Sequence, residues 1–223
     1  MRAAVVLAAG SGSRLAAGQN KVWLEVAGQP VITWSLQWLE KSQLFDRYVV
    51  VVPEAELAVA AAMVAPHCDL PIEWVAGGSS RHGSETNALE YLADDIESGE
   101  LSTVLIHDGA RPLALPQLIQ AVVAAAESHG GALPGLAADD LLGPPTRGEL
   151  VKVQTPQAFE AKALLSAYRA ASAAGFEGTD TSACVERFAP ELPIAVVRAT
   201  ADNLKITYGD DLAAAEHKLR ALR

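Results

Sequence analysis

Apolar and polar positions along the chain follow two alternating patterns. Short, continuous apolar stretches rich in β-branched residues, over 3–7, 48–52 and 103–106, predict strands that are buried on both faces. Longer segments over 30–40 and 116–128 carry apolar residues at helical spacing and begin with proline, which suits the first turn of a helix. Weaker versions of the same patterns predict strands over 72–75, 132–136, 150–153, 194–197 and 204–207, and helices over 54–65, 84–95, 160–174 and 210–222.

This alternation of strands and helices predicts an α/β fold of the Rossmann-like kind. The sheet is expected to be parallel or mostly parallel, with helices on both faces. In such sheets ligands bind in the loops at the carboxyl ends of the strands. The loops after Leu7, Val75 and Ile106 are therefore the expected site. We find no repeat and no linker, so we expect a single domain over 1–223, with 137–148 as its least regular segment.

Composition narrows the class of protein. The 223 residues are 50% hydrophobic and 20% charged, which is typical of a globular chain. The net charge of −10 argues against a nucleic-acid partner or a membrane surface, but not against a small anionic ligand. No apolar run approaches the ~18 residues of a membrane span. The two cysteines, Cys68 and Cys184, have no metal-binding or disulfide spacing, so we expect a cytoplasmic protein with reduced thiols.

The first candidate loop is rich in glycine and follows the first predicted strand. Gly10 and Gly12 allow backbone amides to approach phosphate oxygens closely, and Arg14 and Lys21 add two positive charges nearby. The loop lacks the third glycine of a dinucleotide-binding fingerprint, because Leu15 stands there, and it contains no P-loop lysine. The alternative interpretation is an ordinary glycine-containing turn between a strand and a helix.

Two further loops and a late lysine repeat this chemistry. Gly78 and Arg81 again combine glycine amides with a cation, and Ser84 is expected to act as the N-cap of the next helix. The sequence His-Asp-Gly-Ala-Arg-Pro (107–112) places Asp108 directly after a buried strand, where it suits Mg²⁺ or a sugar hydroxyl. The alternative there is an ion pair that only braces the loop. Lys205 lies in a predicted strand, which indicates either a solvent-exposed edge or a charged site.

Six motifs in fixed order resemble one family, from about residue 3 to residue 220. They are Leu-Ala-Ala-Gly-Ser-Gly-Ser-Arg (7–14) with Lys21, Gly-Gly-Ser-Ser-Arg (77–81), His-Asp-Gly-Ala-Arg-Pro (107–112), Gln-Thr-Pro-Gln-Ala-Phe (154–159), Thr-Asp (179–180) and Asp-Asn-Leu-Lys-Ile-Thr (202–207). Together these motifs resemble the 2-C-methyl-D-erythritol 4-phosphate cytidylyltransferases of the non-mevalonate isoprenoid pathway. Relatives that act on other polyol phosphates, such as ribitol 5-phosphate, share them.

The resemblance implies a fold of the nucleotide-diphospho-sugar transferase type, and an enzyme that joins CTP to a polyol phosphate and releases pyrophosphate with Mg²⁺ present. It also implies a homodimer formed through a protruding arm. Several residues match cations that stabilise the transition state at the α-phosphate, namely Arg14, Lys21 and Lys205. Others match the nucleotide-binding positions, namely Ala8, Ala9, Gly10, Ser11, Gly12, Ser13, Gly78, Arg81 and Ser84.

The same resemblance implies an acceptor site. Asp108 matches an acidic residue near the ribose, the metal and the substrate, while Arg111 and Thr155 match contacts to the polyol phosphate. Arg147 stands at the position of an arginine that the arm delivers to the partner subunit, and Lys152 is the alternative for that role.

This sequence departs from the family pattern in two places. Asn20 replaces a proline before Lys21, and Asp140 replaces a hydroxyl residue in a shortened arm over 137–150. A carboxylate at 140 would repel a nearby substrate phosphate. Two alternatives therefore stay open: a paralogue that acts on another polyol phosphate, and a non-catalytic nucleotide-binding subunit. The second is disfavoured by the joint presence of Arg14, Lys21, Asp108 and Lys205.

Overall fold

The computed structural model describes residues 1–10, 20–137 and 151–222. Its centre is an eight-stranded sheet, with a separate two-stranded ribbon of β2 (Glu25–Val26) and β3 (Gln29–Pro30). The strands of the main sheet are β1 (Arg2–Leu7), β4 (Arg47–Val52), β5 (Ile72–Ala76), β6 (Thr103–Asp108), β7 (Gly131–Ala137), β8 (Val151–Val153), β9 (Gln157–Glu160) and β10 (Ile194–Arg198). Their order is β10-β7-β9-β6-β1-β4-β5, and β8 pairs with β7.

Helices cover both faces of this sheet. One face carries α1 (Val31–Ser42), α2 (Leu57–Val64), α5 (Pro116–His129) and α8 (Gly209–Ala221). The other carries α3 (Arg81–Tyr91), α4 (Ala93–Ser98), α6 (Ala161–Ala173) and α7 (Thr181–Phe188). Two short 3₁₀ helices, Lys21–Trp23 and Glu54–Glu56, lie in connections. Among the described residues, no helix is both long enough and apolar enough to cross a membrane.

The two-sided cover explains the continuous apolar strands. In β1, Ala4 and Val6 belong to the core on one face, while Ala3 and Val5 belong to the core on the other. All four side chains are almost completely buried. Burying a valine side chain contributes about 1.5–3 kcal/mol, so a strand with no solvent-facing side has no use for alternating polar residues.

The predicted sheet is confirmed as mostly parallel, with one insertion that the pattern did not indicate. β1 runs parallel to β4 and β6, and β4 runs parallel to β5. β9 pairs antiparallel with both β6 and β7 and lies between them. Of its residues, only Glu160 falls in a predicted element, the helix over 160–174, because a four-residue segment with two apolar residues has no readable period.

Three other elements differ from the prediction. The segment 204–207 is not a strand, since the backbone amide of Ile206 donates to Ala110 O, beyond the end of the sheet. The predicted helix over 84–95 is two helices, and it starts at Arg81 because the Ser80 side chain accepts a hydrogen bond from Gly83 N. Ser84 is therefore not the N-cap. Helix α7 was not predicted, although the Asp180 side chain caps it by accepting a hydrogen bond from Ala183 N.

The close approach of β7 to β9 gives a test of this core. Gly131 pairs with Phe159, and a Cβ atom at 131 would lie 2.7 Å from Phe159 Cδ1. Because Phe159 is fully buried, Gly131→Ala should lower the free energy of unfolding by about 1–3 kcal/mol. Gly209→Ala is the control, because no atom lies within 4 Å of its added methyl group and alanine favours the helix. Urea unfolding measures both; equal stability of Gly131→Ala and wild type would contradict the register.

Candidate active site

A cleft of about 500 Å³ opens at the carboxyl ends of the central parallel strands. The described parts of all three candidate loops contribute to its wall, which confirms that they meet at one edge of the sheet. The wall comprises Leu7, Ala8, Ala9, Gly10, Asn20, Lys21, Val22, Gly78, Ser79, Ser80, Arg81, Ser84, Asp108, Ala110, Lys205 and Thr207. A cavity of this volume suits a small-molecule ligand.

The turn before α3 is folded so tightly that it requires glycine. Gly78 N donates to Ser84 Oγ (3.1 Å), and Ser84 Oγ donates to Ser80 O (2.9 Å). A Cβ atom on Gly78 would lie 2.6 Å from the carbonyl carbon of Gly83. A Cβ atom on Gly77 would lie 2.4 Å from Ala9 Cβ, so this turn also packs directly against the first loop. The predicted nucleotide residues Gly78, Ser84 and Ala9 therefore share one surface of the cleft.

Asp108 lies among three positively charged side chains. Its Oδ2 accepts a hydrogen bond from Lys205 Nζ (2.8 Å), and its Oδ1 lies 3.4 Å from an Arg81 terminal nitrogen. Arg111 Nε is 3.5 Å from Oδ2. Burial alone would raise the pKa of Asp108, but the charges of Lys205, Arg81 and Arg111 hold it well below its usual range. The carboxylate is therefore ionised and orients cations at the cleft.

A series of buried hydrogen bonds fixes the backbone of Asp108. Asp108 N donates to Thr155 Oγ1 (3.0 Å), which lies 3.4 Å from His107 Nδ1. His107 Nε2 is 3.2 Å from Arg111 O, and a carbonyl only accepts, so we assign the ring proton to Nε2. Nδ1 is then free to accept the Thr155 hydroxyl proton. Burial lowers the pKa of His107 to about 4, which keeps the ring neutral near neutral pH.

Lys205 is positioned by its neighbours rather than by a strand. Asn203 Nδ2 donates to Thr155 O (2.9 Å) and to Gln154 Oε1 (3.0 Å). Asn203 O in turn accepts a hydrogen bond from Arg111 (2.8 Å). These contacts fix the segment 202–207 beside Asp108. The motif at 202–207 contains Asn203 but does not predict this role, because the partners of the side chain are distant in sequence.

Elsewhere in the cleft wall, Asn20 positions Lys21. Asn20 Nδ2 donates to Ala8 O (2.6 Å), and Asn20 Oδ1 accepts from Val22 N (3.4 Å), so the side chain caps the short 3₁₀ helix that contains Lys21. The departure from the family's proline therefore leaves a residue that connects Lys21 to the first loop.

Other predicted site residues have different positions. Thr155 and Arg111 lie beside Asp108 but do not belong to the cleft wall: Thr155 is buried, and only 11% of the Arg111 side chain is exposed. Lys152 lies in β8, paired with Leu136. Several further candidates lie outside the described residues, namely Ser11, Gly12, Ser13, Arg14, Asp140 and Arg147.

The described residues do not fit a metal site built by the protein. Within 1–10, 20–137 and 151–222, no three Asp, Glu, His or Cys side chains gather around one point. Asp108 supplies the only carboxylate in the described part of the cleft wall, and its oxygens face Lys205, Arg81 and Arg111. This arrangement instead suits an anion bound beside the cations.

A comparison with protein families agrees with this geometry. The family model described as 2-C-methyl-D-erythritol 4-phosphate cytidylyltransferase matches residues 2–221. The chain belongs to this cytidylyltransferase family. Among similar cytidylyltransferases, one from Cereibacter sphaeroides is 36% identical over 226 residues, covering 97% of this chain and 96% of that protein.

Two solved structures of similar proteins share the fold. A 4-diphosphocytidyl-2C-methyl-D-erythritol synthase from Anaerococcus prevotii has a TM-score of 0.82 at 25% identity, covering 99% of this chain and 96% of that chain. A 2-C-methyl-D-erythritol 4-phosphate cytidylyltransferase from Thermus thermophilus has a TM-score of 0.71 at 28% identity, covering 97% and 98%. The expected cytidylyltransferase fold is confirmed.

The low pKa of His107 predicts how stability depends on pH. An unfolded histidine titrates near pH ~6.5, so between about pH 6.5 and 4 the unfolded state binds more protons than the folded state. Acidification through this window should reduce the free energy of unfolding, by at most about 3 kcal/mol from this one group. His107→Gln should flatten that slope, as measured by urea unfolding at a series of pH values.

His217→Gln, which removes an exposed histidine of α8, is the matched control and should retain the wild-type slope. The paired anion at Asp108 contributes at lower pH: because its folded pKa is depressed, its contribution is lost only below about pH 4. An unchanged slope in His107→Gln between pH 6.5 and 4 would show that folding does not lower the pKa of His107.

Proposed function

We propose that this protein transfers the cytidylyl group of CTP to the phosphate of 2-C-methyl-D-erythritol 4-phosphate and releases pyrophosphate. Family membership supports the reaction. In this chain the main support is structural: Lys205, Arg81 and Arg111 surround Asp108. This cluster lies at the cleft that Lys21 and the Gly78 turn also line. Such a cleft can bind a polyanion and neutralise charge that develops on it.

The proposed chemistry needs positioning more than a base. A phosphate oxygen of the acceptor forms a bond to the α-phosphorus of CTP, and the bond from that phosphorus to the oxygen of the β-phosphate breaks, so pyrophosphate leaves. The attacking phosphate is already anionic and needs no strong base. Neutral, buried His107 accordingly takes no part in proton transfer. Lys21 and Lys205, together with Arg14 by resemblance, stabilise the charge on the transferring phosphate.

Nucleotide selection is assigned to the turn before α3. Gly78 and Ser84 present the hydrogen-bonded, side-chain-poor surface that admits a pyrimidine, and Arg81 lies at the same wall. By resemblance, residues 10–13 wrap the triphosphate. We propose that Mg²⁺ arrives with CTP, held by its phosphates, since the described residues offer no cage of their own.

The acceptor site is assigned to the side of Asp108 where Arg111 and Thr155 lie. The family resemblance adds Asp140 and either Arg147 or Lys152 to this site, and a homodimer formed through the segment 137–150. A cytoplasmic location also remains a prediction. The alternative acceptor, ribitol 5-phosphate, stays open because Asp140 departs from the family pattern.

A pyrophosphate-release assay with Mg²⁺ tests the function. We expect turnover with CTP and 2-C-methyl-D-erythritol 4-phosphate, little with ribitol 5-phosphate or ATP, and none with unphosphorylated methylerythritol, which lacks the attacking oxygen. A clear preference for ribitol 5-phosphate would identify the paralogue. CTP binding in calorimetry without pyrophosphate from any acceptor would instead identify a non-catalytic subunit and overturn the proposal.

Removing one cation from the cleft should reduce turnover strongly. Lys21→Ala and Lys205→Ala should each lower kcat by about 10²–10³-fold, because each removes a preorganised charge at the transferring phosphate. Lys162→Ala, which removes an exposed lysine of α6, serves as the control and should stay within about twofold of wild type. If both cleft variants keep kcat within about tenfold of wild type, these lysines do not stabilise the transition state.

A further inference from the structure

Glu85 is a charged residue in an apolar core, outside the cleft. It lies on α3, one turn after Arg81, and its side chain is completely buried. The surrounding core is formed by α3, α4, α6 and α7 against the sheet. A glutamate is almost never fully buried unless it is paired, because burial removes its hydration. The complete burial of Glu85 therefore requires a physical explanation.

Three donors from three helices converge on this carboxylate. Oε1 accepts hydrogen bonds from Arg81 Nη1 (2.6 Å) and Thr181 Oγ1 (2.6 Å). Oε2 accepts one from Tyr168 OH (2.7 Å). Burial raises the pKa of Glu85, and Arg81, Thr181 and Tyr168 oppose that rise by stabilising the charged form. Both oxygens of this buried carboxylate therefore accept hydrogen bonds from the protein.

The same arginine reaches the cleft with its other terminal nitrogen. Arg81 Nη2 lies 3.4 Å from Asp108 Oδ1, and Asp108 holds Lys205 on its second oxygen. The Arg81 side chain is 25% exposed and belongs to the cleft wall. Glu85, Arg81, Asp108 and Lys205 therefore form one chain of alternating charges that begins in the core and ends at the cleft.

We infer that Glu85 is a positioning residue for the nucleotide site, which acts by fixing the guanidinium of Arg81 between the core and Asp108. A free arginine side chain samples many rotamers, and an anchor on one terminal nitrogen restricts the direction of the other. Because Arg81, Thr181 and Tyr168 all donate hydrogen bonds to it, the anchor also supplies a second negative charge. Without it, Arg81, Arg111 and Lys205 would share the single charge of Asp108 and repel one another. The inference rests on the proposed function, because it takes the cleft as the CTP site.

The decisive variant is Glu85→Gln, which keeps the size of the side chain and removes its charge. We expect the Kd and KM for CTP to rise about tenfold, equivalent to about 1.4 kcal/mol, while the KM for the acceptor changes less than twofold. In a background of Arg81→Gln, adding Glu85→Gln should cause no further loss of CTP affinity, because the residue through which it acts is gone. Tyr168→Phe, which removes one of the three donors, should give a smaller loss of the same kind.

Leu89→Ala is the matched control on the same helix. Leu89 is fully buried, so its truncation should lower Tm by opening a cavity and leave the KM for CTP unchanged. Unchanged CTP binding in Glu85→Gln, or the same loss of affinity with and without Arg81, would assign Glu85 to folding alone and overturn the inference. If Glu85→Gln does not fold, Thr181→Val and Tyr168→Phe decide by the same criterion. Should the wild type release no pyrophosphate, the proposed function fails, and calorimetric CTP binding still decides the role of Glu85.

Discussion

The negative charge of Asp108 is the constraint on which the rest of the site depends. Three cations could not lie side by side at the end of β6 without an anion among them, and a buried anion could not exist there without the cations. Taking one partner from such a buried arrangement typically costs about 3–5 kcal/mol. The fold meets this constraint by bringing residues from β6, α3, the loop after β6 and the segment 202–207 to one point.

Several buried polar contacts outside the cleft wall orient this cluster. The backbone of Asp108 is held through Thr155 and His107, while Asn203 holds the segment that carries Lys205. None of these three residues belongs to the wall of the cleft. Preorganisation of this kind is effective in catalysis because the charges do not have to be rearranged when the phosphate reacts.

The sequence predicts the sheet well and its irregular parts poorly. Strands β1, β4 and β6 are continuous apolar stretches, so their sequences indicate that they are buried. Strand β9 has only four residues. The segment 204–207 has the alternating pattern of a strand, but its Ile206 amide donates to the loop residue Ala110 and not to a strand. The motifs indicate Lys21, Asp108 and Lys205 as parts of one site, and the structure brings these together. No sequence motif indicates the role of Glu85, because that role depends on contacts with Thr181 and Tyr168, which are more than 80 positions away.

The contact between Gly77 and Ala9 has a mechanical consequence. Each belongs to a different loop of the cleft, and the space between them does not admit even a methyl group. Close-packed interiors transmit displacement instead of absorbing it. If CTP binds as proposed, Ala9 lies on the phosphate side and Gly77 on the base side, so a displacement of either residue displaces the other. Under that proposal, a base that fits poorly against the Gly77 turn also shifts the phosphates, so the choice of base and the placement of the reacting phosphate are linked.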